Sequence, residues 1–369
     1  MIEVVGSNKR LRVGIDGRNL RRNGSGFIRY TVELCKALDA AMPDAEFYVY
    51  SPFPVELPVK SERWIPRVDH CSLKGRIRGA FWLKARLGFL CRHDRLDSFW
   101  ATVTFLPPLM AGVKKVVSVH DVVHLVAPET MSLRLNLPLY LFFARDCRRA
   151  DAILTNSHGT AERLYQTLGC RTVGVVHPAV SNDFRPRPPE EVRACRQRYG
   201  LVSPYILGVG VSVRRKNVET LIRTFLAMKR NGELPNHVLV LAGPKGRDQK
   251  LNTLVESNHD CIRMLGYVPE EDLPALYCGA SVFAFPSLYE GFGIPVLEAR
   301  ACGTPIVATN SPELIEAGGR GPIYIEPTIS GIRTGLLESL ARPQCPAPSD
   351  AELPRWSESV KPLAQALYR

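Results

Sequence analysis

Glu290 and Glu298 flank a glycine-rich turn, Gly291-Phe292-Gly293-Ile294-Pro295, with seven residues between the two carboxylates. An apolar run of strand length, Ser281–Phe285, ends at Pro286 just before it. Glycines let a ligand approach the backbone closely, and Pro295 suits a first helical position because the N–H it lacks would be unpaired there. The remaining N–H groups and the positive end of the helix dipole favour a phosphate. Carboxylates can border such a site when they accept hydrogen bonds from hydroxyls, and sugars and riboses supply those. The segment therefore reads as a cradle for a nucleotide sugar. On spacing alone it fits equally well an ordinary strand–turn–helix with a solvated glutamate at each end.

A second constellation, Gly208-Val209-Gly210-Val211-Ser212-Val213-Arg214-Arg215-Lys216-Asn217, follows an apolar strand and leads into a helix. Arg215 and Lys216 can hold a diphosphate there and neutralise the charge it gains as a leaving group. A solvated basic helix start is the alternative, although cations are disfavoured at a helix N-terminus that meets no anion. Gly24-Ser25-Gly26 follows the first strand but lacks the third glycine of the dinucleotide fingerprint, since Phe27, Ile28 and Arg29 come next. No nicotinamide, flavin or other cofactor is expected; a glycine loop over a pocket and an ordinary loop both remain. His120-Asp121 directly follows a strand, where the histidine either meets a sugar or is a satisfied structural residue. Asn156-Ser157-His158 ends the next strand, and Ser157 is also a natural helix cap. The chain has no D-x-D pair and no His/Asp/Glu set at metal-ligand spacing, so no metal is expected.

These residues act only where strands and helices carry them together. A chain of 369 residues exceeds one typical core, which points to two domains. With 45% hydrophobic and 23% charged residues it has the make-up of a globular protein rather than a disordered or membrane-embedded one. Ten cysteines without a C-x-x-C pair read as scattered small hydrophobes in a reducing compartment. No apolar leader and no 18-residue apolar run occur, so a cytoplasmic chain that does not span a membrane is expected.

Strand candidates in the first half are Leu11–Ile15, Glu46–Tyr50, Ser98–Ala101, Lys115–Val119, Ala152–Thr155 and Thr172–Val176; helix candidates are Ile28–Leu38, Phe81–Arg92, Leu133–Arg149 and Gly159–Leu168. The second half offers strands at Tyr205–Val209, Val238–Leu241, Ile262–Leu265, Val282–Phe285, Ile306–Ala308 and Ile323–Ile325, with helices at Val218–Met228, Asp272–Cys278 and Pro295–Ala301. This alternation predicts an α/β protein of two doubly wound, Rossmann-like parallel-sheet domains. Ligands of such sheets sit outside the carboxyl ends of the strands, so the two domains are expected to face each other across a cleft. The proline-rich stretch Phe184–Pro189 and the loose stretch Ala341–Pro348 place the boundaries: 1–185, 186–345, and a final helical segment 346–369.

The net charge of +12 is unevenly placed, with +10 in residues 1–190 and +2 in 191–369. Between 74 and 95 seven Lys or Arg and one acid, Asp94, interleave with Phe81, Trp82, Leu83, Leu87 and Phe89. That pattern suits a helix lying in an anionic membrane surface, with Leu133–Arg149 adding to it. A basic-backed core helix is the alternative. No recognised nucleic-acid motif accompanies the charge.

Together these features resemble the family-4 retaining glycosyltransferases, the GT-B group that uses nucleotide-diphosphate sugars. The resemblance covers nearly the whole chain and is strongest from Leu265–Pro269 through Gly303–Ala308, which holds the intact E-x7-E motif. The Gly24–Gly26 loop, His120-Asp121, the Arg215-Lys216-Asn217 loop and the Trp356 segment fall in family order. The resemblance implies that Glu290 holds hydroxyls of the donor hexose and Glu298 those of the ribose. It implies that Phe292, Gly293 and Ile294 meet sugar and phosphate through backbone amides, and that Arg215 and Lys216, with Gly210 nearby, take the diphosphate. Gly26 would approach the phosphates from the first domain, His120 would sit near the reacting sugar, and backbone around Tyr267 and Val268 would meet the base. The family returns its last helix to the first domain. It retains configuration by front-face attack, the leaving phosphate helping to take the acceptor proton, with no protein nucleophile. The nearest members are bacterial mannosyl- or rhamnosyltransferases that use GDP-sugars and lipid-linked saccharide acceptors of surface polysaccharides at the inner face of the cytoplasmic membrane. A UDP-sugar, a soluble acceptor, or a non-catalytic binding module on the same fold are the alternatives. The chain departs from the family's common pattern at His177-Pro178-Ala179-Val180 and at Phe27.

Overall fold

Apolar runs without polar alternation fit a parallel sheet covered on both faces, and among the described residues the chain builds two. The computed structural model describes residues 10–20, 26–69, 79–108, 110–131, 133–210, 213–246, 248–342, 347–349 and 352–368. The first sheet comprises β1 (Arg12–Asp16), β2 (Glu46–Ser51), β3 (Trp64–Val68), β4 (Ser98–Ala101), β5 (Lys114–Val119), β6 (Ala152–Thr155) and β7 (Gly174–Val175). Its order is β3-β2-β1-β4-β5-β6-β7, with every pairing parallel. Strand β3 escapes the sequence pattern because Pro66 interrupts it. As the edge strand it tolerates a residue that cannot donate, in register with Val49.

The second sheet comprises β8 (Tyr205–Val209), β9 (Val238–Ala242), β10 (Ile262–Gly266), β11 (Val282–Phe285), β12 (Ile306–Thr309) and β13 (Ile323–Ile325), in the order β10-β9-β8-β11-β12-β13. Successive residues of each strand feed opposite cores. Leu207, Val240 and Phe283 pack on one face, and Ile206, Leu239, Leu241 and Val282 on the other. Both sheets reverse direction beside their first strand, between β1 and β4 and between β8 and β11. That reversal is where doubly wound folds bind ligands.

One compact unit holds the residues up to Pro178 together with those from Arg355 onward, and the other holds Ala179–Pro354. The expected boundaries at 185/186 and 345/346 therefore shift. Phe184 is buried in the second unit's core, and Leu353 packs against the same cluster. Arg300 also holds the Glu352 carbonyl at 3.2 Å. The terminal helices Trp356–Ser359 and Lys361–Leu367 pack on the first unit, with Trp356 5.7 Å from the Tyr30 ring and Lys114 Nζ 2.6 Å from the Tyr368 carbonyl oxygen.

The expected helix Phe81–Arg92 forms, running from Gly79 to His93, with a π-helical segment Leu83–Leu87 between the α-helical stretches Gly79–Trp82 and Gly88–His93. A Cβ on Gly88 would stand 2.6 Å from the Pro108 carbonyl oxygen, so the chain passes too close there for a larger residue. Two of its cations also face inward: Lys84 pairs with the fully buried Asp146, and Arg86 with Asp69 at 3.1 Å. The basic run Lys74–Arg78, the loop residues Gly24 and Ser25, and Val211 and Ser212 lie outside the described residues. No helix among the described residues is long and apolar enough to cross a membrane.

Candidate active site

At the switch point of the second sheet, the loop after β8 and the loop after β11 meet. Gly210 opens the first loop at φ +78°, donating its N–H to the Ala242 carbonyl at 2.9 Å. Arg214–Lys216 form one 3-10 turn, closed by Asn217 in the left-handed region at φ +56°, a conformation asparagine tolerates. Asn217 is fastened there: Nδ2 donates to the Pro327 carbonyl at 2.9 Å, and Oδ1 accepts from Thr220 at 2.6 Å. The two loops are laced together, Leu288 N–H to the Arg215 carbonyl at 2.7 Å and Arg215 Nη1 to the Tyr289 carbonyl at 3.1 Å.

This lacing delivers Glu290 between both cations. Arg215 Nη1 stands 2.6 Å from Glu290 Oε2, and Lys216 Nζ stands 2.8 Å from Oε1. Lys216 Nζ also lies 4.3 Å from the centroid of the Phe285 ring, a cation–π contact. Burial opposes ionisation of Glu290, but the Lys216 ammonium and Arg215 guanidinium outweigh it and hold the carboxyl below its ordinary value. Burial lowers the pKa of Lys216, and Glu290 only partly restores it. The Lys216 and Glu290 side chains are 10% and 7% exposed and Arg215 32%, so the guanidinium is the member that meets solvent.

Gly293 precedes helix Ile294–Ala301 at φ +105°, and a Cβ there would fall 2.4 Å from Leu314 Cδ2. A larger residue there would push the Leu314 side chain aside from a backbone conformation that only glycine adopts freely. Pro295 occupies the first turn, so the helix presents its positive end to the Glu290 loop. Phe292 is buried in the core and anchors the turn by its side chain. Glu298, 2% exposed, accepts a hydrogen bond from the Tyr277 hydroxyl at 3.0 Å. After β10, the Tyr267 side chain is 70% exposed while the Val268 side chain is anchored in the core.

In the first unit, Gly26 begins helix Gly26–Ala41 and His120 follows β5. The His120 ring meets Phe27 edge-on at 4.5 Å and Tyr30 at 5.4 Å. His120 Nε2 lies 2.7 Å from the Thr102 carbonyl; a carbonyl only accepts, so Nε2 carries the proton. Burial lowers its pKa, which keeps the ring neutral near pH 7. Phe27, a departure in the sequence pattern, is thus the wall of the histidine's socket.

Sequence reasoning missed the Asp16–Arg18 pair at the end of β1. Arg18 Nε and Nη2 donate to the two Asp16 oxygens at 2.8 and 2.6 Å, both residues are buried, and Thr102 Oγ1 donates to the Asp16 carbonyl at 2.9 Å. The only signal was the Asp-Gly-Arg order at a strand end. Tyr277 was missed, and the fastening of Asn217 was not foreseen, because their partners lie 21 and 110 residues away. His158 and His177 also come together, ring centroids 5.4 Å apart, which their separation in sequence does not announce. Arg215, Lys216, Glu290, Gly210, Gly293, Ile294 and Glu298 therefore share one end of the second unit, while Gly26 and His120 belong to the first.

The family model described as glycosyl transferases group 1 matches residues 197–330, and that described as glycosyltransferase family 4 matches residues 24–184. The O-antigen chain mannosyltransferase B of Escherichia coli is 39% identical over 167 residues, 44% of this chain and 44% of its own length. A GDP-mannose-dependent alpha-(1-6)-phosphatidylinositol monomannoside mannosyltransferase of Mycolicibacterium smegmatis is 31% identical over 53% of this chain and 54% of its own length. The chain spans 44% of the length of that O-antigen chain mannosyltransferase and 26% of the serotype-specific mannosyltransferase WbdA of Escherichia coli. Among solved structures, sucrose-phosphate synthase from Thermosynechococcus elongatus superposes with a TM-score of 0.70 at 15% identity, covering 97% of this chain and 94% of that one. WaaG, a glycosyltransferase involved in lipopolysaccharide biosynthesis, gives 0.69 at 17% identity, covering 96% and 95%. These likenesses establish the fold as that of the GT-B glycosyltransferases.

Proposed function

We propose, from the premise that this chain belongs to glycosyltransferase family 4, that it moves a mannose- or rhamnose-type hexose from a GDP-sugar to a lipid-linked saccharide of a bacterial surface polysaccharide, with retention and without a metal or resident cofactor. One observation carries the reading. Two cations and a carboxylate, Arg215, Lys216 and Glu290, are clustered at a sheet switch point before the positive end of a helix, with a second buried carboxylate, Glu298, inside that helix. An incoming diphosphate competes with Glu290 for the two cations, and the carboxylate then turns to the hydroxyls of the hexose. With both its oxygens ion-paired, Glu290 is a poor nucleophile and a poor base, which favours attack on the same face as the departing phosphate. Arg215, Lys216 and the helix dipole supply the positive charge that a metal provides elsewhere. Glu298, oriented by Tyr277, takes the ribose. The activities of the mannosyltransferase relatives favour mannose and a polysaccharide acceptor, and the one from Mycolicibacterium smegmatis favours GDP.

The membrane contact is read from exposed apolar residues. Phe81, Leu137, Tyr140 and Leu141 are each at least 40% exposed, with Arg145 and Arg148 exposed on the same helix, Leu133–Arg149. Phe81 meets Phe142 edge-on at 5.9 Å, which joins the two segments. This patch suits an anionic leaflet and would hold the protein peripherally at the inner face of the cytoplasmic membrane.

Calorimetric titration with GDP-mannose, UDP-glucose and ADP-glucose tests the donor, and hydrolysis assayed with and without Lys216→Ala tests the site. GDP-sugar binding with hydrolysis that vanishes in the variant is expected. A response to UDP-glucose alone transfers the assignment to that donor, and no response to any of the three overturns the catalytic reading.

A further inference from the structure

Away from the carboxyl ends of the strands, the amino-terminal edge of the second sheet borders a cavity of about 900 Å³. Cys278, the last residue of helix Leu273–Cys278, and Cys302, which caps helix Ile294–Ala301, both line it. Arg187, Arg193 and Arg196 line the same cavity. Arg193 is exposed, Arg187 pairs with Glu191 at 3.4 Å, and Arg196 is spent on the carbonyls of Leu201, Val202 and Ser203. The walls thus carry a positive excess with one side chain directed to solvent.

The two thiols are not alike. Cys278 is partly exposed; its sulfur accepts the Arg187 backbone N–H at 3.4 Å and lies 3.6 Å from the Cys302 carbonyl oxygen. The neighbouring Cys302 thiol, with the Arg187 N–H and guanidinium, outweighs burial and lowers the Cys278 pKa from its ordinary value toward ambient pH. The same contact and burial push Cys302 up, which leaves it a protonated neighbour. A thiol whose pKa lies near ambient pH is the one best suited to attack a disulfide.

We propose that Cys278 and Cys302 form an exchange pair that reacts with a small anionic disulfide admitted by this cavity. In the first step the Cys278 thiolate attacks one sulfur of the disulfide RSSR, which forms a Cys278–SR bond and releases RS⁻. In the second step the Cys302 thiol gives its proton to solvent and attacks the Cys278 sulfur, releasing the second RS⁻. The two protein thiols are oxidised by two electrons and the small disulfide is reduced by two. The resulting 278–302 bond would tie together the ends of the helices that carry Tyr277 and Glu298, whose side chains meet at 3.0 Å. The chemistry is independent of which donor the carboxyl-end site binds.

The test uses the full chain without oxygen, treated with oxidised glutathione (anionic) or cystamine (cationic) at equal concentration and analysed by peptide mass. Expected are a 278–302 disulfide that forms about tenfold faster with oxidised glutathione, a glutathione adduct trapped on Cys278 in Cys302→Ser, and neither product in Cys278→Ser. An adduct appearing first on another cysteine, an unmodified Cys278 in Cys302→Ser, or cystamine reacting as fast, would each overturn the proposal. The wild-type rate ratio stands even if a serine variant folds poorly.

Discussion

At the residue scale, the behaviour of the site turns on one carboxylate shared by two cations. Replacing Glu290 by Gln leaves Lys216 and Arg215 as like charges facing each other, and the expected loss is about 3 kcal/mol. That is the low end for a broken buried pair, because Arg215 keeps part of its solvent. The pH dependence follows from the two shifts. Glu290 is held below its unfolded value of about 4.3, so the native chain binds fewer protons in that window. Its contribution is full above that value and is lost as pH falls through the folded value. Lys216 is also lowered, so on its account stability rises with pH toward the unfolded value of about 10.4. Urea midpoints measured across both windows check this: Glu290→Gln should flatten the acid limb and Lys216→Met the alkaline one. An acid limb unchanged in Glu290→Gln would contradict the assignment. These residues were readable in the sequence because glycine, proline and charge at fixed offsets from a strand end have local physical meaning. Their mutual pairing was not, since 74 residues separate Arg215 from the segment that meets it.

At the scale of elements, the Gly293 turn and the Tyr277–Glu298 link are the parts that can be broken cleanly. Gly293→Ala forces a Cβ against Leu314 at an angle that suits only glycine, and should cost about 2–3 kcal/mol in a thermal melt. Tyr277→Phe removes one buried hydrogen bond, worth about 1 kcal/mol, and should weaken nucleotide affinity in a titration more than it lowers stability. On helix Leu133–Arg149, Leu141→Asp touches an exposed position; flotation with anionic vesicles should fall severalfold while circular dichroism is unchanged. Apart from the edge strand β3, the strands were legible because they read as short apolar runs between turns. Helices Pro189–Arg198, Gln249–Glu256, Pro312–Gly318 and Ile329–Ala341 were not. The first buries only Cys195 among its residues, so its apolar period is absent. The last contains Gly331 and Gly335, where a Cβ would stand 2.2 Å from the Glu326 carbonyl oxygen and 2.7 Å from Ile325. Glycines placed for close packing look like a loop when read along the chain.

At the scale of the molecule, each unit closes around its own sheet, and the chain returns to the first one at Arg355. Val360, Leu363 and Leu367 are buried there, each worth roughly 1.5–3 kcal/mol. Their sum is comparable to the whole stability of a domain. Truncation after Pro354 should therefore abolish the calorimetric transition of the first unit and spare that of the second; two intact transitions would show that the terminal helices are dispensable. The domain boundaries fell several residues from their expected places because composition marks proline-rich stretches, whereas packing of Phe184 and Leu353 decides where a core begins and ends.

The sequence by itself determined the class of fold, two doubly wound sheets, and the charged and glycine residues that gather at the switch point of the second. Apolar period, helix-start chemistry and glycine freedom act within a few residues of one another. Only the tertiary structure decided that Glu290 is clamped by both cations and that His120 is a neutral ring seated against Phe27. It also turned Lys84 and Arg86 inward to Asp146 and Asp69, away from any outer partner. Each of those outcomes depends on which distant chain segment arrives to satisfy a charge or fill a socket, and linear spacing carries no record of that.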